Sequence, residues 1–456
     1  MFIISIATLI TKLKEPVPNL GAQSGTNVLV DASQLMYHIN WPVQSTVGQI
    51  VTNMNTYLSD YSDSDEVFVI FDRYDGLSAK DHERNRRAGT GSETHTLSLN
   101  SILPPWDEIL KNKNNKKQLH ELICTFPSNA NAQFISSFES IVSHDEADIS
   151  LISYMLHAIE KGAKSIRILS DDTDVFVLAV YWCWKKNIKS SVYIEKWDHT
   201  LLDVSKTVKG LGARCANILG VHALSGCDTV SFAFGKGKAT AVSILKNKDL
   251  PDMDAVFGNE TATQDQILTV GRDFILKLYG QAEAASMHEA RFNLFRKRQK
   301  PPPLKCLPPT DANLVLHCLR AHLQVMLWKS ADVRSPPVVN ICDYGWYIQE
   351  IKDAHGNILQ IPQPYIAKID AAPPELMDVV SCNCSSTEPC KTKQCSCHKQ
   401  GLPCTYYCKC NSICKNPFST HDIEEIAPDG NLDMEDIEEI APDGNLDGEE
   451  DIIDEG

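Results

Sequence analysis

Three short apolar runs, each closed by an acid, restrict this chain more than any other feature. They are NVLVD at 27–31, EVFVIFD at 66–72 and SIRILSDDTD at 165–174. Runs of branched and aromatic residues with no polar face read as strands buried on both sides. Ahead of the third, Asp145–Lys161 carries Ile149, Ile152, Met155, Leu156 and Ile159 at helical spacing, and Gly162 supplies a C-cap. Strand and helix in alternation predict an α/β fold built on a parallel sheet with flanking helices. Acids at the carboxyl ends of such strands stand where open α/β sheets place their sites.

Length and composition set the outer limits. A chain of 456 residues has room for about three domains. With 43% hydrophobic and 22% charged residues it has a globular balance, which excludes collagen-like, wholly disordered and small disulfide-scaffold classes. No apolar run approaches the roughly 18–20 residues that cross a bilayer; Met1–Ile10 and Val175–Trp184 reach about half that, so no membrane span is expected. The opening MFIISIATLI lacks a basic n-region and an A-x-A-like cleavage site, so secretion is not expected.

The net charge of −16 has one address: residues 422–456 hold 16 Asp and Glu and no Lys or Arg. The rest is neutral overall and carries basic clusters at Lys80/Arg84/Arg86/Arg87, Lys111/Lys113/Lys116/Lys117 and Arg291/Arg296/Lys297/Arg298/Lys300. Such clusters suit phosphate contact or a solvated surface. The acidic stretch repeats DIEEIAPDGNLD at 422–433 and 436–447, and predicts a disordered tail over 419–456. Residues 88–140 are polar, with Pro104-Pro105 midway, and read as a mobile insertion over the sheet. Residues 262–300 and 310–330 look helical, and 331–380 are Pro-punctuated around Trp346, with no function assigned.

Seven acids form a candidate centre: Asp31, Asp72, Glu146, Asp148, Asp172, Asp174 and Asp228. Gathered in one pocket they would repel one another and raise their pKa values. Hard divalent cations resolve that repulsion. Mg²⁺ or Mn²⁺ takes carboxylate and water oxygens, and two ions about 4 Å apart suit phosphodiester cleavage. Taken singly, an Asp after a strand is more often a turn or N-cap residue; the ordered set makes the case.

In this ordered set the sequence resembles the flap endonucleases, within the PIN-like nucleases. VLVDAS, VFVIFD, DEADISLISYM, LSDDTDVFVLA and LSGCDTVSFAFGKGKATAVSIL resemble that family's acidic motifs and its helix–hairpin–helix, in the same order, across residues 1–250. The resemblance implies that Asp31, Asp72, Glu146 and Asp148 serve one ion and Asp172, Asp174 and Asp228 another. It implies that Lys80 and Arg86 contact the reacting phosphate, with Arg84 and Arg87 nearby, and that Gly235, Gly237 and Lys238 meet a duplex phosphate at a helix N-terminus. The chain departs from the family at Phe2, where a Gly is usual, at Asp148, where a Glu is usual, and across 88–140, a poor match to the family's arch.

The second signal is cysteine. Of 16 cysteines, nine lie between Cys382 and Cys414 with spacing C-x-C-x5-C-x4-C-x-C-x6-C-x3-C-x-C-x3-C. An odd count with close C-x-C pairs favours a thiolate metal site over disulfides. Zinc takes four thiolates, so three ions need twelve ligand positions, which Cys382, Cys384, Cys390, Cys395, Cys397, Cys404, Cys408, Cys410 and Cys414 supply if three sulfurs bridge. The stretch is similar to the tesmin-type CXC domain, a DNA-binding module, with Gln394 where that family carries a Tyr. The similarity implies DNA contact through Tyr406 and Tyr407 and through Lys391, Lys393, Lys399, Lys409 and Lys415. A zinc knot that only binds protein or stabilises the chain is the plainer alternative.

The expected organisation is a PIN-like nuclease domain at 1–250 with an arch-like insertion at 88–140, a helical and Pro-rich connector at 251–380, a CXC zinc module at 381–418 and the tail. The expected protein is a nuclear, structure-selective DNA endonuclease acting on branched or flap-like DNA. The alternative is a nuclease fold without turnover that binds DNA or serves as a scaffold.

Overall fold

The computed structural model describes residues 16–17, 25–73, 77–88, 93–125, 132–135, 142–247, 249–296, 304–352, 358–367, 382–404, 408–410 and 414–418. The expectations for the opening residues, Phe2 among them, and for the acidic tail lie outside these. The chain divides into two compact units. The larger takes residues 2–292 and 305–367, and the smaller takes Met1, Asn293–Leu304 and Lys368–Gly456.

The larger unit is built on seven strands: β1 (Pro16–Val17), β2 (Thr26–Asp31), β3 (Glu66–Ile70), β4 (Ala132–Ile135), β5 (Ser165–Leu169), β6 (Ser191–Glu195) and β7 (Leu201–Asp203). Their order is β1-β7-β6-β5-β2-β3-β4. The run from β6 to β4 is parallel, with Val30 opposite Leu169 and Asp31 opposite Ile70, and β7 and β1 join it antiparallel. From β2 the chain moves outward through β3 to β4 and returns on the other side of β2 as β5. The crevice over the carboxyl ends of β2 and β5 is therefore a topological switch point.

Alternation along the strands decides what covers each face. Val28, Val30, Val67 and Val69 pack in one cluster with Ile50 and Met54 of α2 (Val47–Leu58) and Leu119 and Ile123 of α4 (Lys113–Cys124). On the other face Phe68 meets Tyr154 of α5 (Ala147–Glu160), ring centroids 5.3 Å apart. The remaining helices used below are α1 (Ala32–His38), α3 (Lys80–Ala88), α6 (Thr173–Lys185), α7 (Val204–Leu211), α8 (Ile218–Leu224), α9 (Lys238–Asn247), α10 (Gln264–Leu278) and α11 (Asp311–Lys329).

Three expectations change. The third acidic run is a strand only to Leu169, and Asp172 then caps α6, whose Val175–Cys183 are buried. Burial all round lets that apolar run serve as a core helix rather than a strand. The polar stretch 88–140 is not simply laid over the sheet. It supplies α4 and the edge strand β4, and Leu103, Ile109, Leu119, Ala132 and Phe134 join the core. The described part of 251–367 belongs to the larger unit: α10 and α11 pack on each other and on α8, because α11 buries Leu314, Cys318, Ala321, Leu323, Val325, Met326 and Trp328. A hairpin of β8 (Trp346–Lys352) and β9 (Ile358–Pro364) follows. Among the described residues no helix is long and apolar enough to cross a membrane. In the smaller unit the cysteines themselves form the buried cluster.

Candidate active site and metal centre

The strand ends and helix starts aim the acids. Asp31 ends β2 and caps α1, accepting from the Gln34 N–H at 3.1 Å. Asp72, two residues past β3, accepts from the Ala147 N–H at 2.9 Å and so holds the first turn of α5. Glu146 and Asp148 open that helix. Asp172 caps α6, accepting from the Asp174 N–H at 2.8 Å. Asp228 sits exposed at the tip of a tight turn closed by two hydrogen bonds between Cys227 and Val230.

Their electrostatics are those of crowded, dry carboxylates. Burial, Asp148 and Asp72 push Asp31 up to about 8. Burial raises Glu146 to about 7 against the pull of Lys80 and with Asp148 adding to it. Burial, Asp148 and Asp174 hold Asp172 well above the carboxylate range, and Asp148 is raised chiefly by burial. Asp72 stays below its usual value: burial opposes this, but Arg84, Lys80 and the Ala147 N–H outweigh it. Burial also works against Asp174, yet His222 and the neighbouring lysines bring it down to about 2. The Lys80 ammonium lies 2.6 Å from Asp148 Oδ2 and 3.3 Å from Glu146 Oε2, and that Glu146 oxygen is buried without a hydrogen bond. Among the described residues, no three of these carboxylates bring one oxygen each within 4.8 Å of one another. The acids ring the crevice, and an ammonium partly neutralises them.

The basic residues sort by helix face. Lys80 and Arg84 are four apart on α3 and share the face toward the acids, with Arg84 Nη2 3.8 Å from Asp72 and its Nη1 3.2 Å from Asp81. Arg86 lies ~200° round the helix from Arg84. It pairs with Glu83 through Nε at 2.7 Å and Nη2 at 2.6 Å. The structure thus sets Arg84 beside Asp72, while Arg86, held by Glu83, feels the charge of Asp228. The Arg87 side chain, Tyr406 and Tyr407 lie outside the described residues. Gly235 adopts φ +69°, and a Cβ at Gly235 or Gly237 would meet nothing within 4 Å, so the backbone there is open to approach. Lys238 is a correction. It is 5% exposed, and its ammonium faces inward to the His222 carbonyl, His222 Nδ1 and Ser225 Oγ, where no duplex phosphate can reach it. Burial lowers its pKa to about 8. Lys393 is exposed in the smaller unit.

Several supporting residues were not read from the sequence. Gln34 ties the two sides of the switch point, donating to Ser170 Oγ at 3.1 Å and accepting from the Asp171 N–H at 2.7 Å and the Trp197 indole at 2.9 Å. His222 lies 2.7 Å from Asp174 Oδ1. Helix α11 braces the turn bearing Asp228: Thr229 donates to Gln324 at 2.5 Å, and His317 bridges Ser231 at 3.2 Å and the Leu224 carbonyl at 3.0 Å. An LSGCD turn beside a helix rich in His and Gln was the available signal.

None of the sixteen cysteines forms a disulfide. Three sets of four sulfurs lie within 4.8 Å of one another: Cys382/Cys397/Cys404/Cys408, Cys382/Cys384/Cys390/Cys395 and Cys382/Cys390/Cys404/Cys410. Neighbouring sulfurs stand 3.5 Å (Cys382–Cys390), 3.6 Å (Cys397–Cys408) and 3.9 Å (Cys395–Cys404) apart. Four thiolates at about 2.3 Å from one zinc stand roughly 3.8 Å from each other, so the donor set fits tetrahedral zinc. His398 is turned away, its Nδ1 2.9 Å from the Cys390 carbonyl.

No family model and no curated protein matches the chain. Solved structures similar to it are flap endonucleases. One is the D15 protein of T5 co-crystallised with metal ions, at 14% identity over 67% of this chain and 91% of that one, TM-score 0.33. Another is the bacteriophage T5 D15 flap endonuclease as a pseudo-enzyme–product complex with DNA and metal ions, at 15% identity over 67% and 90%, TM-score 0.35. A third is the catalytic core of Rad2 in complex with a DNA substrate, at 14% identity over 72% and 96%, TM-score 0.34. The chemistry of the site rests on its own geometry.

Proposed function

We propose that the larger unit is a divalent-metal-dependent nuclease that hydrolyses phosphodiester bonds of branched or flap-like DNA, and that the cysteine centre is a zinc-ordered CXC module that holds it on DNA in the nucleus. One observation carries this reading: Asp31, Glu146, Asp148 and Asp172, raised by burial and then by neighbouring carboxylates, share a switch-point crevice in which a buried Glu146 oxygen makes no hydrogen bond and has the Lys80 ammonium 3.3 Å away. A site so arranged calls for cations. Asp31, Asp72, Glu146 and Asp148 would hold one Mg²⁺ or Mn²⁺, and Asp172, Asp174 and Asp228 a second. Such ions would lower the pKa of an attacking water and offset charge on the leaving oxygen. Lys80 and Arg84, on the face of α3 that borders the acids, orient a phosphodiester and offset its charge. The open backbone at Gly235 and Gly237 admits a duplex phosphate.

For the smaller unit, Cys414 pairs with Cys404 and Cys410. Placing it in the third set instead of Cys382 leaves Cys382, Cys390 and Cys404 each shared by two sets. Three zinc ions then use all nine thiolates with three bridges, and ordering this core-poor segment is coupled to metal.

A non-cleaving DNA-binding scaffold is the second reading, favoured by the 2.6 Å Lys80–Asp148 ion pair within the acid ring. The deciding experiment is Mg²⁺-dependent cleavage of a labelled 5′-flap duplex, with Asp172→Ala purified alongside. Cleavage by the parent and none by the variant is expected. Tight binding of flap, gapped and single-stranded DNA with no cleavage of any would select the scaffold.

A further inference from the structure

Behind Asp174 lies a buried polar chain that the nuclease reading does not use. The Lys238 ammonium reaches the His222 carbonyl at 2.6 Å, Ser225 Oγ at 3.0 Å and His222 Nδ1 at 3.0 Å. An ammonium has three protons to donate and no lone pair, so Nδ1 is the acceptor. The proton of the neutral ring then belongs to Nε2, which donates to Asp174 Oδ1 at 2.7 Å. The ring plane is fixed as well: it stacks on Trp328 of α11, centroids 5.4 Å apart and planes 30° from parallel. His222 is 2% exposed and Lys238 5%.

The chain joins three elements. Asp174 lies in the first turn of α6, His222 is in α8, and Lys238 begins α9 directly after the Gly235–Gly237 turn. We propose that His222 is a positioning residue for the metal-site carboxylate Asp174, with Lys238 fixing its tautomer. This rests on the nuclease reading. The imidazole commits Oδ1, and Oδ2, which makes no hydrogen bond among the described residues, is presented to a cation. The turn that admits DNA backbone is thereby tied to the orientation of a metal ligand.

Two substitutions separate orientation from mere filling of space. In His222→Gln the amide nitrogen reaches the place of Nε2 and can donate to Asp174. In His222→Asn the amide group reaches only the place of Nδ1 and meets Lys238. Mn²⁺ binding to the full, zinc-loaded chain without DNA, read by calorimetry and by electron paramagnetic resonance, is the measurement. His222→Gln is expected to bind within about threefold of the parent and His222→Asn roughly 10–100-fold more weakly, the usual effect of losing an outer partner. Equal affinity of the two variants overturns the proposal and leaves the nuclease reading standing. A parent whose Mn²⁺ binding is absent, or unchanged by Asp172→Ala, removes both.

Discussion

Asp31 has two duties that pull against each other. As the cap of α1 it needs an oxygen on the Gln34 N–H, and as a member of the acid ring it is pushed up to about 8. An acid whose folded value lies above its unfolded one binds its proton more tightly in the native state. Its stabilising share is complete below the unfolded value of 3.8 and is lost as pH rises toward about 8. Glu146, raised from 4.5 to about 7, acts in the same direction. With divalent ions chelated, the melting temperature should therefore fall between about pH 7 and about pH 8, above the range in which His120, His317 and His322, lowered by burial, act in the opposite direction. Asp31→Asn keeps the capping oxygen and removes the charge. It should flatten that fall and raise the melting temperature at the alkaline end by several degrees, at ~2–4 °C per kcal/mol for a unit of this size. A melting curve with the parent's slope would contradict this. Asp31, Asp72 and Asp172 were legible because each follows an apolar run; Gln34, His222 and Ser170 were not, because a lone polar residue on a mostly apolar helix or loop carries no periodic signal. Lys238 was misplaced for a related reason: charge is visible in a sequence, but the face it occupies depends on where the helix starts.

The turn from Gly226 to Gly237 shows how one element answers to two constraints. Gly226 has φ +106°, and a Cβ there would stand 2.6 Å from the Phe232 Cβ. Gly237 has open space around it. Gly226→Ala should cost ~1–3 kcal/mol through backbone strain and overpacking, and should disturb the turn that carries Asp228. Gly237→Ala should leave stability within about 1 kcal/mol of the parent, since any added side chain points into space. Urea unfolding of the two variants tests the contrast, and equal losses would count against it. Strands were readable as elements because buried parallel strands are apolar runs. The same logic misread the start of α6, where an apolar run buried all round follows SDD, and only the Asp172 cap marks the change from strand to helix. The 88–140 stretch hid its contribution because Leu119 and Ile123 of α4 are a two-residue stripe in a polar helix.

Two compact units and an acidic repeat make the molecule a set of opposed charges. The repeat at 422–447 carries acids without any Lys or Arg, whereas Lys80 and Arg84 border the proposed DNA site and Lys391, Lys393 and Lys399 line the cysteine module. Deleting residues 422–456 should tighten DNA binding several-fold at low salt, with the gain shrinking as salt screens it over a Debye length of about 8–10 Å. Fluorescence anisotropy across a salt series measures it, and an unchanged affinity would show that the tail does not compete. Domain boundaries were the least legible level. A break at 250 looked natural because Pro-rich and helical segments follow, yet α11 buries 11 of its 19 residues and holds the Asp228 turn in place. That long-range dependence has a consequence for synthesis. The centre draws on positions from Asp31 to Asp228 and on a brace that ends at Lys329, so a growing chain on the ribosome passes through most of its length before the pieces can meet. A product truncated before α11 would carry the sheet and the acids but not the contacts that brace the Asp228 turn, so prematurely terminated translation should yield fragments in which the proposed centre never assembles.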